Sequence, residues 1–174
     1  MKLLTYVLGW LSWMVCLLFS CNSIPEKATA VHPFNKEKYL GKWYEIARFD
    51  FRFERDLNQT TATYSLNKDG SIKVLNQGYN YKTKEWKSAE GKAKFAGNDT
   101  IAMLKVSFFG PFYAGYNVLA LDSNYQYALV GGSSLDYLWI LSREKTIPDS
   151  IKTAYLSIAQ QIGYDTQKLI WVEH

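Results

Sequence analysis

The chain has 174 residues, of which 48% are hydrophobic, 16% aromatic and 21% charged, and its net charge is +4. This length suits one domain with a substantial core, and the hydrophobic content excludes an intrinsically disordered chain. The 20 basic and 16 acidic residues are spread along the sequence, so no basic cluster favours nucleic acid as a partner. The unusual feature is the aromatic content, six Trp, 13 Tyr and nine Phe, which needs a place in a core or around a ligand.

The first 20 residues have the pattern of a secretory signal peptide. Lys2 is followed by an uncharged, mainly apolar run over residues 3–19 and by the small residue Ser20. A cationic start, an apolar stretch and a small residue at the cleavage site form such a signal. A run of this length is also just long enough to span a bilayer. An uncleaved transmembrane anchor is therefore the alternative.

The end of this segment, Leu18-Phe19-Ser20-Cys21, resembles a bacterial lipobox. The resemblance implies that the Cys21 thiol receives a diacylglycerol, that the chain is cut before Cys21 and that the new amine is acylated. Asn22 in the next position implies the outer membrane rather than retention in the inner membrane. Three acyl chains would hold the protein firmly, because two lipid signals already give stable anchoring.

From Leu40 onward, short alternating segments are separated by turn residues. Alternation is clearest over residues 60–66, 71–77, 87–95 and 101–108, which predicts strands. Further strands are expected over 113–121, 126–131 and 137–142, which brings the number to eight between Trp43 and Ser142. The turn Asn67-Lys68-Asp69-Gly70 predicts a tight hairpin with Gly70 at positive φ.

One helix and a last short strand are expected after these eight strands. Pro148 and Asp149 suit a helix start, apolar residues follow at helical spacing, and Gly163 ends the helix. A final strand is expected over residues 168–172. Eight antiparallel strands form either an up-and-down barrel or a sandwich. The small residues Ala89, Gly91 and Ala93 on one strand face favour a barrel with interior space.

Several stretches resemble the lipocalin family: GKWYEIAR over residues 41–48, the segment 117–130, and Leu141-Ser142-Arg143. The run VSFFGPFY over residues 106–113 resembles the bacterial outer-membrane lipocalins and their apolipoprotein D-like relatives. The family's Thr-Asp-Tyr turn is replaced here by Asp122-Ser123-Asn124. The resemblance implies an all-β, eight-stranded antiparallel up-and-down barrel with one C-terminal helix and a short ninth strand. We predict a signal peptide over residues 1–20, a lipidated N-terminus and tether over 21–36, and the barrel domain over 37–174.

The motif residues Gly41, Trp43 and Arg143 are interpreted as structural. Trp43 can close the barrel floor, and Arg143 can lay its guanidinium over the indole ring while donating to backbone carbonyls. A shielded cation–π contact of this kind contributes about 1–2 kcal/mol.

Strand alternation also predicts an interior ligand site. Because successive side chains of a strand point to opposite faces, alternation from Trp43 predicts that Glu45, Ala47 and Phe49 point inward. The whole predicted set is mostly apolar with a few phenols and amides, which suits a lipid chain with one polar head. The same side chains could instead simply fill the barrel. The predicted ligand-binding residues are Ala47, Phe49, Tyr64, Ile72, Val74, Asn76, Leu104, Val106, Phe108, Tyr113, Asn117, Leu119, Tyr137 and Trp139.

The sequence carries little that suits catalysis. Its two histidines, His32 and His174, lie in the tether and at the C-terminus, and no His or Cys pair has metal-ligand spacing. We therefore predict no catalytic residue, no metal and no cofactor. Glu45 is interpreted as a structural acid, with a general base as the alternative.

The lipocalin resemblance implies a fatty acid or lysophospholipid ligand and a role in lipid transport, storage or outer-membrane maintenance, with the barrel facing the periplasm. Two alternatives stay open. A lipid-modifying enzyme would use Glu45 with a nearby Tyr. A structural or interaction lipoprotein would have a filled core and use an exposed aromatic such as Trp86, and a homodimer is also left open.

Overall fold

The computed structural model describes residues 23–174, so the predicted signal peptide and Cys21 lie outside the described residues. These residues form nine strands and two α-helices, with one 3-10 turn at Thr166–Lys168. The helices are α1 (Lys36–Tyr39) and α2 (Asp149–Ile162). The strands are β1 (Gly41–Arg48), β2 (Leu57–Leu66), β3 (Ile72–Asn80), β4 (Glu85–Phe95), β5 (Met103–Phe109), β6 (Phe112–Leu121), β7 (Tyr127–Gly131), β8 (Leu138–Ser142) and β9 (Ile170–Trp171).

The first eight strands close into an antiparallel barrel. Each pairs with the next in sequence, and β1 pairs with both β2 and β8. The predicted eight-stranded up-and-down barrel with a C-terminal helix and a ninth strand is confirmed. The predicted hairpin at Gly70 is present, with φ +79° and a 3.0 Å bond from its N–H to the Asn67 carbonyl.

The connections between strands divide the barrel into two ends. The open end carries the loops 49–56, 81–84, 110–111 and 132–137. The closed end carries the turns 67–71, 96–102 and 122–126, together with α1. Within residues 23–174, no helix has the length and apolar character needed to cross a bilayer.

Helix α2 packs against the outside of the barrel wall. Pro148 occupies its N-cap position, and Gly163 ends it in the left-handed region, donating to the carbonyls of Ala159 and Gln160. The buried helix face joins an outer hydrophobic cluster with wall residues such as Leu129 and Ile140. A second, inner cluster around Trp43 fills the lower barrel. The wall therefore has apolar side chains on both faces.

The C-terminal segment closes the gap where β1 and β2 diverge toward the open end. β9 pairs with Ala47 and Arg48, and Val172 donates to the Ile46 carbonyl at 2.9 Å. On the other side, Gln59 donates to the Glu173 carbonyl at 2.7 Å. The last residues thus complete the backbone hydrogen bonding of the wall.

Candidate ligand-binding site

The barrel floor is built on Trp43 and Arg143. Trp43 is fully buried, and the Arg143 guanidinium carbon lies 3.8 Å from the centroid of its ring. Arg143 also donates to the carbonyls of Lys42 at 2.8 Å and Leu40 at 2.9 Å. Gly41 adopts φ +95°, and a Cβ there would lie 3.3 Å from Arg143 Nη1. Glycine therefore allows both the backbone turn and the close approach of the guanidinium.

Three tyrosines fill the barrel just above the floor. The Tyr116 hydroxyl is hydrogen-bonded to those of Tyr39 at 2.7 Å and Tyr64 at 2.9 Å. The rings of Tyr39 and Tyr64 stack with centroids 5.6 Å apart. Burial raises the pKa of all three phenols, so the group is neutral and serves as a polar but uncharged layer.

Above this layer, the interior becomes accessible toward the open end. Interior residues nearer the floor are buried, whereas those nearer the mouth are half-buried. The buried predicted residues are Tyr64, Ile72, Val74 and Leu104, and the half-buried ones are Asn76, Val106, Phe108 and Trp139. The barrel is thus a cup with a packed floor and an apolar upper wall.

A buried charged cluster, which we call the mouth cluster, is formed by Glu45, Arg48, Glu54 and Thr60. Glu45 Oε1 accepts from Arg48 Nη1 at 2.9 Å and from Thr60 Oγ1 at 3.1 Å. Arg48 Nη2 donates to the carbonyl of Glu54 at 2.8 Å, which ties the open-end loop 49–56 to β1. The Glu54 carboxyl accepts from Trp139 Nε1 at 3.1 Å.

The mouth cluster holds two carboxyl groups but one guanidinium. Burial raises the pKa of Glu54 well above its usual range, and the nearby Glu45 carboxyl raises it further. Burial also raises the pKa of Glu45, against the opposing effect of Arg48. Since Arg48 can neutralise only one carboxylate, the environment favours the protonated form of Glu54 more strongly than that of Glu45.

Two polar atoms of the interior have no hydrogen-bond partner among the described residues. Arg48 Nε is buried, with Glu54 Oε2 4.0 Å away, and Asn76 Oδ1 is buried as well. Unpaired buried polar atoms are costly and therefore uncommon. The interior thus contains one donor and one acceptor that the described residues leave without a hydrogen bond.

The prediction that Ala47 and Phe49 face the interior is wrong. Both pack in the outer cluster, where the Phe49 ring lies 6.0 Å from that of Tyr164. A β-bulge between Glu45 and Ala47 inserts one extra residue into β1. Because a bulge shifts the alternation by one residue, Glu45 points inward as predicted but the next predicted residues do not.

The predicted alternation of β6 is also wrong by one residue. Cross-strand partners share a face, and Leu104 of the inner cluster pairs with Tyr116. Tyr113, Asn117 and Leu119 therefore lie on the outer face, where Leu119 joins the outer cluster.

A bulge again explains the error. A regular hairpin closing at Phe109 and Phe112 would pair Phe108 with Tyr113 and place both inside. The irregularity in β5 between Val106 and Phe109 removes that pairing, so Val106 pairs with Ala114.

The space expected beside Gly91 is already occupied. A Cβ on Gly91 would lie 2.8 Å from two ring atoms of Phe108. Tyr137, also predicted to contact ligand, stands at the rim with 40% of its surface exposed and stacks on Trp139. Trp86 is exposed on the outside of β4, beside Tyr79.

Sequence reasoning missed Arg48, Glu54 and Thr60. The available signal was Arg48 itself, a charged residue between the apolar residues Ala47 and Phe49 of a strand, since an arginine in such a place needs a buried partner. Within residues 23–174, no group of three or more His, Cys, Asp or Glu side chains is arranged to hold a metal ion.

The sequence comparisons identify the family. The family model for a lipocalin-like domain matches residues 34–174. The chain belongs to the lipocalin family. This lipocalin is 55% identical over 159 residues to the outer membrane lipoprotein Blc of Citrobacter freundii, covering 90% of each chain. It is 51% identical over 173 residues to the protein of the same name from Escherichia coli, covering 99% of this chain and 98% of that one.

More distant lipocalins agree with this assignment. Apolipoprotein D of Rattus norvegicus is 35% identical over 144 residues, covering 78% of this chain and 75% of its own. Among solved structures, insecticyanin from the tobacco hornworm Manduca sexta superposes with a TM-score of 0.69 over 84% of each chain, at 20% identity. The resemblance noted in the sequence is therefore confirmed, and the structural likeness supports the lipocalin fold.

Proposed function

We propose that this lipocalin is an outer-membrane lipoprotein that holds a fatty acid or lysophospholipid in its barrel, for lipid transport, storage or maintenance of the outer membrane. The observation that carries the proposal is an interior that opens at one end, has a half-buried apolar upper wall and contains the unpaired polar atoms of Arg48 and Asn76. An apolar cavity with a few polar groups suits one acyl chain with one polar head.

Transfer of the acyl chain from water supplies the driving force. Burying about fifteen methylenes at ~0.8 kcal/mol each contributes roughly 12 kcal/mol before costs. Association and ordering of the chain remove several kcal/mol, which leaves micromolar or tighter binding. We propose that an acyl chain enters at the open end, where the interior side chains, such as Phe108 and Trp139, are half-buried.

The membrane assignment rests on the N-terminus and on the relatives. The lipobox-like end of the signal supports cleavage after residue 20 and lipid attachment at Cys21. The printed names of the Citrobacter and Escherichia relatives, outer membrane lipoproteins, support the same location. We propose that the barrel domain faces the periplasm.

We also propose that the ligand is bound without chemical conversion. Glu45, the candidate general base, is buried and accepts hydrogen bonds from both Arg48 and Thr60. These contacts stabilise the charge of the carboxylate and hold it in place. Its role is therefore to keep Arg48 in the barrel wall.

Fluorescence titration of the delipidated protein with cis-parinaric acid tests the proposal, with palmitate and lysophosphatidylethanolamine as competitors. Val106→Trp fills the interior, and Lys105→Trp places the same ring on the outside of the same strand. We expect Val106→Trp to weaken binding by roughly tenfold or more, a loss of ~1.4 kcal/mol or greater, and Lys105→Trp to leave it unchanged. No response to any fatty acid or lysophospholipid would support a filled core instead.

A further inference from the structure

The described chain begins beside the open end of the barrel. The Ser23 carbonyl accepts a hydrogen bond from Asn117 Nδ2 at 2.7 Å. A Cβ on Gly115 would lie 2.6 Å from that same oxygen and 3.1 Å from the Ser133 side chain. Gly115 is three residues from Phe112, where β6 starts at the open end, and Ser133 belongs to an open-end loop. The absence of a side chain at Gly115 lets the N-terminal segment lie against the wall here.

The next residues stay beside the open-end loop, and the segment then continues to the closed end. Residues 25–27 line a pocket with residues 134–135 of the open-end loop and with the end of α2. Farther along, Val31 donates to the Val118 carbonyl at 2.9 Å, and Phe34 donates to the Thr100 carbonyl at 2.8 Å in a closed-end turn. The segment therefore spans the wall from the open end to the closed end and is held along its length.

This path determines where a lipid on Cys21 is attached. Cys21 precedes Ser23 by two residues, and two extended residues reach at most ~7 Å. Under the proposed lipidation, acyl chains on Cys21 are therefore attached within ~7 Å of Ser23, and the docked segment that follows cannot act as a long free linker. The leaflet that holds these chains is brought to the open end.

The open end carries an exposed aromatic patch. Phe53, Phe109 and Phe112, which we call the rim patch, are 62%, 67% and 79% exposed. Phe53 and Phe109 lie with ring centroids 6.1 Å apart, and the Arg52 guanidinium carbon lies 4.7 Å from the Phe53 centroid. Of the eleven large hydrophobic side chains exposed in residues 23–174, Leu66 alone is at the closed end.

We propose that the rim patch docks into the phospholipid leaflet that holds the Cys21 lipid, so that the barrel stands with its mouth on the membrane. This inference rests on the proposed function, from which it takes the lipid on Cys21. Exposed Phe side chains insert at the boundary between headgroups and acyl chains, and a neighbouring guanidinium binds lipid phosphate. Ligand then passes between the leaflet and the barrel without crossing water.

A single label at the rim tests this orientation in the full lipidated protein. The sequence has two cysteines, Cys16 in the signal and Cys21 at the lipidation position, so the mature lipoprotein has no other thiol. Phe112→Cys is labelled with a nitrobenzoxadiazole dye and reconstituted into vesicles of phosphatidylethanolamine and phosphatidylglycerol that contain a nitroxide-labelled lipid. Lys68→Cys, in an exposed closed-end turn, is the matched control.

We expect the lipid nitroxide to quench the label at position 112 roughly threefold or more above that at position 68, because docked side chains lie roughly 5–10 Å deep in the interface. The ratio should not change when protein is diluted in lipid, and Phe53→Ser with Phe109→Ser should lower it. Equal quenching at both positions would overturn the proposal. The proposal would also be overturned if the label at position 112 became inaccessible to solvent only at high protein density. That result would assign the rim patch to a contact with a second copy of the chain.

The fatty-acid titration on the same labelled protein in detergent separates the two proposals. Normal binding together with equal quenching overturns the docking alone. Loss of binding overturns the proposed ligand function and leaves the quenching ratio to decide the orientation. Release of the protein from vesicles by alkaline carbonate overturns both the Cys21 anchor and the docking.

Discussion

The side-chain amide of Asn117 donates to the Ser23 carbonyl across 2.7 Å and to the Gly132 carbonyl across 3.0 Å. Asn117 is fully buried on the outer face of β6. One amide group thus joins the start of the N-terminal segment to an open-end loop. This contact holds the start of the described segment against the barrel wall.

Replacing Asn117 should loosen the N-terminal segment. Asn117→Leu removes the donor of the buried Gly132 carbonyl bond and of the half-buried Ser23 carbonyl bond, which costs about 1–3 kcal/mol. We expect a lower free energy of unfolding and faster hydrogen exchange in residues 23–30, measured by mass spectrometry. Asn58→Leu removes an exposed amide bond to Glu173 and serves as the control. Unchanged exchange in the N-terminal segment would show that other contacts hold it.

Replacing Arg143 should destabilise the floor and spare the mouth. Arg143→Met removes the cation–π contact with Trp43 and several bonds to backbone carbonyls, at a cost of about 2–4 kcal/mol. Arg143→Lys should recover little, because an ammonium group cannot reproduce the planar fork. Thermal unfolding measures the loss, and fatty-acid titration at a temperature where the variant is folded should give wild-type affinity. Full recovery by lysine would contradict this account of the floor.

The mouth cluster makes stability depend on pH. Burial raises the pKa of Glu54 in the folded state above its unfolded value near ~4.3. Folding therefore favours the protonated carboxyl, and this contribution is present at low pH and lost as pH rises through the folded-state pKa. Thermal midpoints from pH 4 to pH 9 should fall less with rising pH in Glu54→Gln than in the wild type.

The exposed Glu90→Gln on β4 is the control for that series, since it removes a carboxyl from the surface. Any effect of losing a carboxyl as such should appear in this variant as well. If Glu54→Gln and the wild type showed the same pH dependence, the Glu54 carboxyl would not be the buried group that holds a proton.

A side chain at Gly91 should displace Phe108 from the interior. A Cβ at this position would lie 2.8 Å from the Phe108 ring and 2.9 Å from the Ser107 carbonyl oxygen. We expect Gly91→Ala to lower the free energy of unfolding by about 1–3 kcal/mol, as overpacking does. Adding Phe108→Leu to Gly91→Ala should restore part of the lost free energy of unfolding. The smaller side chain relieves the contact with the Phe108 ring, whereas the contact with the Ser107 carbonyl remains. Additive effects in the double-mutant cycle would contradict direct contact.

The parts of the fold that depend on local sequence could be predicted. The turn at Gly70 and the helix end at Gly163 each need a residue with positive φ. Glycine adopts positive φ most readily, so its presence indicates such positions. The pairing of Trp43 with Arg143 could be predicted because both residues belong to family motifs at strand ends of known direction. The two glycine conformations do not depend on how distant segments pack, whereas the contact between Trp43 and Arg143 was expected only through the family resemblance.

The interior could be predicted only on strands with regular pairing. On β3 and β5, the predicted residues up to Val106 face inward. The bulges in β1 and β5 instead place Phe49 and Asn117 on the outer face, where alternation had predicted the inner one. A bulge adds one residue without a distinctive composition, so alternation alone cannot reveal it. The mouth cluster could not be predicted because Glu54 reaches Arg48 only after the loop 49–56 folds back over the mouth.

We propose that the barrel holds one single-chain lipid. Native mass spectrometry of the lipoprotein purified from membranes tests it most directly, with Val106→Trp and Lys105→Trp purified in parallel. We predict that the wild type and Lys105→Trp each retain one fatty acid or lysophospholipid per barrel and that Val106→Trp does not. A lipid retained equally by all three proteins, or by none of them, would contradict the claim.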